Sequence, residues 1–203
     1  MSPFSPSANA FPPTVCGTLT GQHMYFETGS TGNAGILEIA KGTTDGNRNF
    51  QIKVTYFTCD NLAKAPAGCT QYFTAVSGSF QSYNHAGNQL LAEMNYNNCF
   101  RQREGFCRLA LSESTAMNPD AFLLSDPPTM AESDCILLSF LSFSTPTTSM
   151  FCGGILNTVD GDTVPGVVTS GPGSSFIVGL QTLDGDLSDL SGFNLDFTQV
   201  PCT

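Results

Sequence analysis

Apolar residues in this chain come in short runs, each closed by Gly, Pro, Asn or Asp, and no stretch keeps a 3.6-residue apolar period over three turns. The runs fall at 23–27, 35–39, 50–57, 69–76, 90–94, 107–111, 135–143, 164–168, 175–180 and 193–200. The clearest alternation places Phe50, Ile52, Val54 and Tyr56 on one face and Gln51, Lys53 and Thr55 on the other, as a half-buried strand requires. Turns are expected at 44–47, at Asp160-Gly161-Asp162 and at Gly171-Pro172-Gly173. Many short strands at this spacing predict an all-β sandwich or barrel.

The Pro- and Ser-rich residues 1–14 are expected to be a flexible arm. A small-residue and polar stretch between Cys59 and Cys69 reads as a linker, which divides the rest into a β segment over 15–60 and a main domain over 61–203. The first segment has room for about three strands, too few to bury two sheet faces, so it must pack on something else.

Composition narrows the function. Charged residues are 12% of the 203, and seven Lys and Arg stand against seventeen Asp and Glu. From Leu109 to Thr203 there is no Lys or Arg but eleven carboxylates, among them Asp160, Asp162, Asp184, Asp186 and Asp196. Nucleic acids and anionic membranes draw affinity from cations, so neither is an expected partner. No apolar run approaches the roughly 20 residues of a membrane span, and the chain holds no Asn-x-Ser/Thr acceptor.

Eight cysteines, Cys16, Cys59, Cys69, Cys99, Cys107, Cys135, Cys152 and Cys202, include no C-x-x-C pair, and the two histidines stand apart from them. Disulfides in an oxidising, extracellular compartment explain this count better than zinc does. The first residues show no secretory leader, so the expectation is of a trimmed chain or an added Met1. Catalysis lacks a candidate. His23 lies in an alternating run and is read as a hydrogen-bonded residue in or near the core, His85 as a solvated loop residue, and no nucleophile or zinc-protease motif accompanies them. No cofactor is expected. Sixteen Phe and five Tyr without Trp leave open an aromatic-lined cavity for a small apolar ligand, although a sandwich core consumes such residues as well.

Several motifs resemble those of CUB domains in arthropod secreted proteins with tandem CUB modules. They are Cys69-Thr-Gln-Tyr-Phe-Thr74, Ser77-Gly-Ser-Phe-Gln-Ser-Tyr-Asn84, Tyr96-Asn-Asn-Cys-Phe-Arg-Gln-Arg-Glu-Gly-Phe-Cys107, Phe151-Cys-Gly-Gly154 and Gly192-Phe-Asn-Leu-Asp-Phe197. Two earlier stretches, Cys16-Gly-Thr-Leu-Thr-Gly-Gln-His-Met-Tyr25 and Arg48-Asn-Phe-Gln-Ile-Lys-Val-Thr-Tyr-Phe-Thr-Cys59, resemble the end of a preceding module, with Phe50 where Trp is usual. The resemblance implies a jelly-roll β-sandwich with a short additional N-terminal β segment, and leaves open a processed or truncated form of a longer precursor. It implies a secreted, non-enzymatic module that associates with a protein partner or with copies of itself; a carrier of a small apolar ligand is the alternative.

The resemblance also implies that Cys135 pairs with Cys152. Short spacing then points to Cys99 with Cys107 and Cys59 with Cys69, which leaves Cys16 with Cys202, one of 105 possible connectivities for eight cysteines. Many relatives hold calcium, but Leu138 stands where the family's central carboxylate would be. Asp184 alone does not supply the six to eight oxygens Ca²⁺ takes. Excess EDTA should therefore leave the melting temperature unchanged, and a fall of many degrees would reveal a metal held by another acidic group such as Asp184 with Asp186.

Overall fold

A computed structural model of the chain describes residues 2–4, 13–28, 34–40, 42, 48–115 and 121–202. The strands are β1 (Ser2–Phe4), β2 (Ile36–Glu38), β3 (Gln71–Phe73), β4 (Ser77–Gln81), β5 (Asn95–Phe100), β6 (Phe106–Glu113), β7 (Phe122–Leu123), β8 (Ala131–Glu132), β9 (Phe140–Ser142), β10 (Met150–Gly153), β11 (Val168–Thr169), β12 (Ile177–Gln181) and β13 (Gly192–Pro201). Among the described residues the one helical element is a 3-10 turn at His85–Gly87. The all-β expectation holds.

Two sheets form the sandwich, one in the order β3-β5-β12-β9-β10-β8 and the other in the order β11-β6-β13-β4, with β7 added on β13. All pairings are antiparallel except β3 with β5. Alternation explains the core. Along β13, Phe193, Leu195, Phe197 and Gln199 point inward, while Asn194, Asp196 and Thr198 stand on the wetter face. The inward residues join Leu109 and Leu111 of β6, Leu141 of β9, Phe151 of β10 and Val178 and Leu180 of β12 in one continuous core. Aromatic rings fill its centre: Phe100 lies 4.6 Å from Phe197, 5.0 Å from Phe80 and 5.2 Å from Phe73, centroid to centroid. Phe73, Phe80, Phe100 and Phe197 are thus packed on one another, close to the spacing favoured by ring pairs.

The inward Gln199 is buried without loss because all its polar atoms find partners. Its Nε2 donates to the carbonyls of Ala75 and Arg101 at 3.1 and 2.9 Å, and its Oε1 accepts from the Arg103 N–H at 2.9 Å. The end of β13 is thereby fastened to the segments that follow β3 and β5.

Some expected elements differ. Residues 90–94 bury Leu90, Leu91 and Met94 but are not a strand; Glu93 takes φ of 57°, which breaks the extended chain. Among the described residues, neither 23–27 nor 50–57 joins a sheet ladder. The turn expected at 44–47 lies outside the described residues, as does most of the expected arm, whose residues 2–4 pair with β2.

Disulfide pairing follows sheet neighbours rather than sequence proximity. Cys135 is bonded to Cys152, Cys69 to Cys99 and Cys107 to Cys202, while Cys16 and Cys59 are free and exposed. The expected Cys99–Cys107, Cys59–Cys69 and Cys16–Cys202 pairs are therefore corrected. Cys69 runs into β3 beside Cys99 of β5, and Cys107 of β6 lies next to Cys202 at the end of β13. The Cys107–Cys202 bond closes a separation of 95 residues and Cys135–Cys152 one of 17. In the chain-entropy account, removing the former pair by Ser substitution should cost about 4.7 kcal/mol and the latter about 3 kcal/mol in urea unfolding. A reversed order would show that strain or residual denatured-state structure dominates.

Candidate functional site

The two sheets leave β3 and β4 as neighbouring edges, and edges invite pairing with other chains unless something covers them. Residues 13–28 run across this end of the sandwich. The Thr18 N–H donates to Asn84 Oδ1 at 2.7 Å, Gln22 Nε2 to the Ser82 carbonyl at 2.9 Å, and the Tyr83 hydroxyl to the His23 carbonyl at 2.9 Å. On the β3 side, the Tyr72 N–H donates to His23 Nε2 at 3.1 Å and the Tyr25 N–H to the Thr70 carbonyl at 2.7 Å. Val15 enters the core, with Leu19 and Met24 packed against it. The segment thus fastens to one edge of each sheet.

His23 is the pivot. Its ring sits edge-on to Phe73 and Tyr25 at 5.1 and 5.7 Å. Accepting the Tyr72 N–H requires an unprotonated Nε2, so the proton of the neutral ring is on Nδ1. Burial holds its pKa below the usual histidine value. Beside it a cavity of 310 Å³ is bounded by Gln22, His23, Gln71, Phe80, Ser114 and neighbouring residues. Gln22 Oε1 and Gln71 Oε1 accept no hydrogen bond from the protein there. Neither glutamine is marked by the sequence; a polar residue at the start of a strand carries no signal of burial.

His85 is buried rather than solvated, because the 3-10 turn folds it inward, where Nδ1 meets the Ser191 carbonyl at 3.1 Å. Both histidines therefore hold backbone in place. The acidic turns are likewise occupied: Asp162 Oδ1 accepts the Val164 N–H at 3.1 Å and its Oδ2 the Asn157 amide at 3.1 Å. Asp186 Oδ1 accepts the Ser188 N–H at 3.0 Å, and hydrogen bonds with Ser188 lower its pKa. Among the described residues no three His, Cys, Asp or Glu side chains come together as a metal cluster.

Beyond residue 28 the character of the segment reverses. Ile36, Leu37, Ile39, Phe50, Ile52, Val54, Tyr56 and Phe57 are all exposed, Tyr56 to 81% and Phe50 to 60%. Patches of this kind on a folded surface mark contact sites. The free thiols of Cys16 and Cys59 bracket it in sequence.

Two sheets packed face to face, with the last strand of the domain central in one of them and disulfides joining sheet neighbours, define a jelly-roll sandwich of the CUB class. The chain belongs to the animal CUB domain family, which matches it over residues 66–200. No curated protein sequence matches it. A solved structure, the full extracellular region of zebrafish Gpr126/Adgrg6, is similar at 17% identity with a TM-score of 0.44. That match covers 68% of this chain, and the chain spans only 15% of the zebrafish one. No helix among the described residues is long and apolar enough to cross a membrane.

The state of His23 makes the docking of residues 13–28 sensitive to pH. Its folded pKa lies below the unfolded value near 6.5, so the unfolded chain takes the proton first. The contribution is complete above about pH 6.5 and is lost as pH falls below it. The protection factors of the Tyr25 and Tyr72 amides, each taken against the intrinsic exchange rate at the same pH, should fall on acidification in wild type, and this fall should be absent in His23→Phe. An unchanged pH response in the variant would assign the effect to another group.

Proposed function

We propose that the protein is a secreted, non-enzymatic interaction module. In this reading the CUB sandwich is a rigid base and residues 34–59 are the contact for another protein. The supporting observation is the concentration of exposed apolar side chains. Eight of the exposed large hydrophobic residues fall between Ile36 and Phe57, and among the described residues 49–57 join no ladder. A segment of this kind, laid along a partner as a strand, offers both main-chain hydrogen bonds and alternate side chains, which is how strand addition gains affinity and specificity together.

Three disulfides within a stretch of 134 residues support an oxidising, extracellular location. The acidic second half supports a protein partner over nucleic acid, since it repels phosphate. Residues 13–28 fix the base of the contact segment to the sandwich, so a partner bound by residues 34–59 is held at a defined place on the domain.

Lys53 sits in the middle of the contact segment and provides the test. Amine-reactive cross-linking of the natively secreted protein should join Lys53 to another polypeptide, and Val54→Asp should abolish these cross-links while leaving the sandwich folded. Cross-links confined to Lys53 and residues of its own chain would end the reading. Cross-links to a second copy would identify self-association.

A further inference from the structure

Four strands end the two sheets of the sandwich, β3 and β8 in one and β4 and β11 in the other. Three of these edges are closed to pairing. Beside β3, His23 takes the Tyr72 N–H at 3.1 Å and the Tyr25 N–H reaches the Thr70 carbonyl at 2.7 Å. Beside β8, the Ala131 N–H donates to the Asp162 carbonyl at 2.8 Å and the Ala131 carbonyl accepts the Gly161 N–H at 2.9 Å. β11 is only two residues long. β4 combines length with exposure, and its sequence Ser-Gly-Ser-Phe-Gln carries no Lys, no Pro and no bulge to keep another strand away.

Pairing with β13 decides which groups of β4 are left over. The Ser82 N–H meets the Phe193 carbonyl and the Gln199 N–H the Val76 carbonyl, so the even-numbered residues from 76 to 82 face β13. The N–H and C=O groups of Ser77 and Ser79 therefore point away from the sheet, and no described residue bonds them. Residues 13–28 stop short of this stretch: Gln22 Nε2 reaches the Gln81 and Ser82 carbonyls, at 3.4 and 2.9 Å. Ser77, Gly78 and Ser79 are all exposed, and a shallow depression of 410 Å³ runs along them, bounded on its far side by Asp196 and Thr198.

We infer that this edge is a contact between two copies of the chain, which pair antiparallel through residues 77–79 about a two-fold axis at Gly78. The edge itself selects the occupant. Ser77-Gly78-Ser79 reads the same in both directions, so the axis sets Ser77 opposite Ser79 of the second copy twice over, using all four outward N–H groups and carbonyl pairs. Gly78 then faces Gly78, where the backbones come closest and no side chain intervenes. Charge does not oppose the joint. Residues 77–81 are uncharged, and Asp196, opposite Ser79 in the sheet, lies about 16 Å from its counterpart across the axis, roughly twice the Debye length at physiological salt. Each sandwich has one such edge, so pairing closes at two and does not propagate. The contact falls short of the ~1,000 Å² that a stable interface clears, so the dimer is reversible. It is separate from the contact proposed for residues 34–59.

Sedimentation of the full chain at up to about 1 mM should show a monomer–dimer equilibrium. Raising salt from about 20 to 150 mM should strengthen it, because each chain carries a net charge of −10. In hydrogen exchange the Ser77 and Ser79 amides should gain protection as the protein is concentrated. Ser79→Pro removes an N–H that β13 does not use, so the fold should be kept while dimerisation weakens about tenfold or more. If that variant does not fold, the concentration dependence of the wild-type amides decides. A chain that stays monomeric at about 1 mM would overturn the inference. So would a dimer whose Ser77 and Ser79 amides stay unprotected, since its contact lies elsewhere. Protection of these amides only in the presence of a different protein would give the edge to a foreign strand and end the assignment to a second copy. If the chain is monomeric while Lys53 still cross-links to another protein, the β4 contact is wrong and the interaction role stands.

Discussion

The central position of β13 is the constraint on which the rest of the structure depends. It carries β6 on one side and β4 on the other, and its inward residues Phe193, Leu195 and Phe197 supply the layer against which the second sheet packs. Gln199 then fastens its far end through three hydrogen bonds, and Cys202 locks it covalently to β6. Buried hydrogen bonds of this kind are expensive to break singly, since each leaves an unsatisfied partner in a dry environment. The smaller sheet is therefore defined by one strand, and the position of the edge strand β4, which receives the N-terminal segment, follows from it.

Much of this was legible in the sequence, and the exceptions have physical causes. β13 is readable because its apolar alternation is unbroken from Phe193 to Phe197. β4 and β5 are not, since they are built largely from Ser, Gly, Asn and Gln. Asn98, for instance, is fully buried and donates its amide to the Val178 carbonyl at 3.1 Å, a situation created by its neighbours rather than by its own hydropathy. Residues 50–57 fail in the opposite sense. Their alternation is the cleanest in the chain, yet periodicity describes only the strand and not its neighbour, and an isolated strand has no ladder to join. The disulfides divide in the same way: Cys135–Cys152 was available from family resemblance, whereas Cys107–Cys202 depends on β6 and β13 lying side by side, which sequence proximity cannot reveal.

Residues 13–28 and 34–59 solve different problems although they are continuous in sequence. The first covers exposed sheet edges, placing its polar groups against the carbonyls and amides of residues 70–84. Among its described residues, the second leaves eight large apolar side chains exposed. The aromatic cluster of His23, Tyr25, Tyr72 and Phe73 lies where the two regimes meet, with Tyr25 also stacked on Phe57 at 6.0 Å. Contact between these rings links the part of the segment fastened to the sandwich to the exposed apolar part.

The placement of β13 also has a consequence for biosynthesis. A ribosome delivers β4 and β6 early, but they are not hydrogen-bonded to each other, since the strand that joins them is the last element of the domain. Until residues 192–201 emerge, the five-stranded sheet lacks its middle, and the apolar faces of Phe80, Leu109 and Leu111 wait uncovered. Folding of this domain is thus deferred until β13 emerges, a delay that exposes nascent strands to mispairing and gives chaperones a defined interval in which to act.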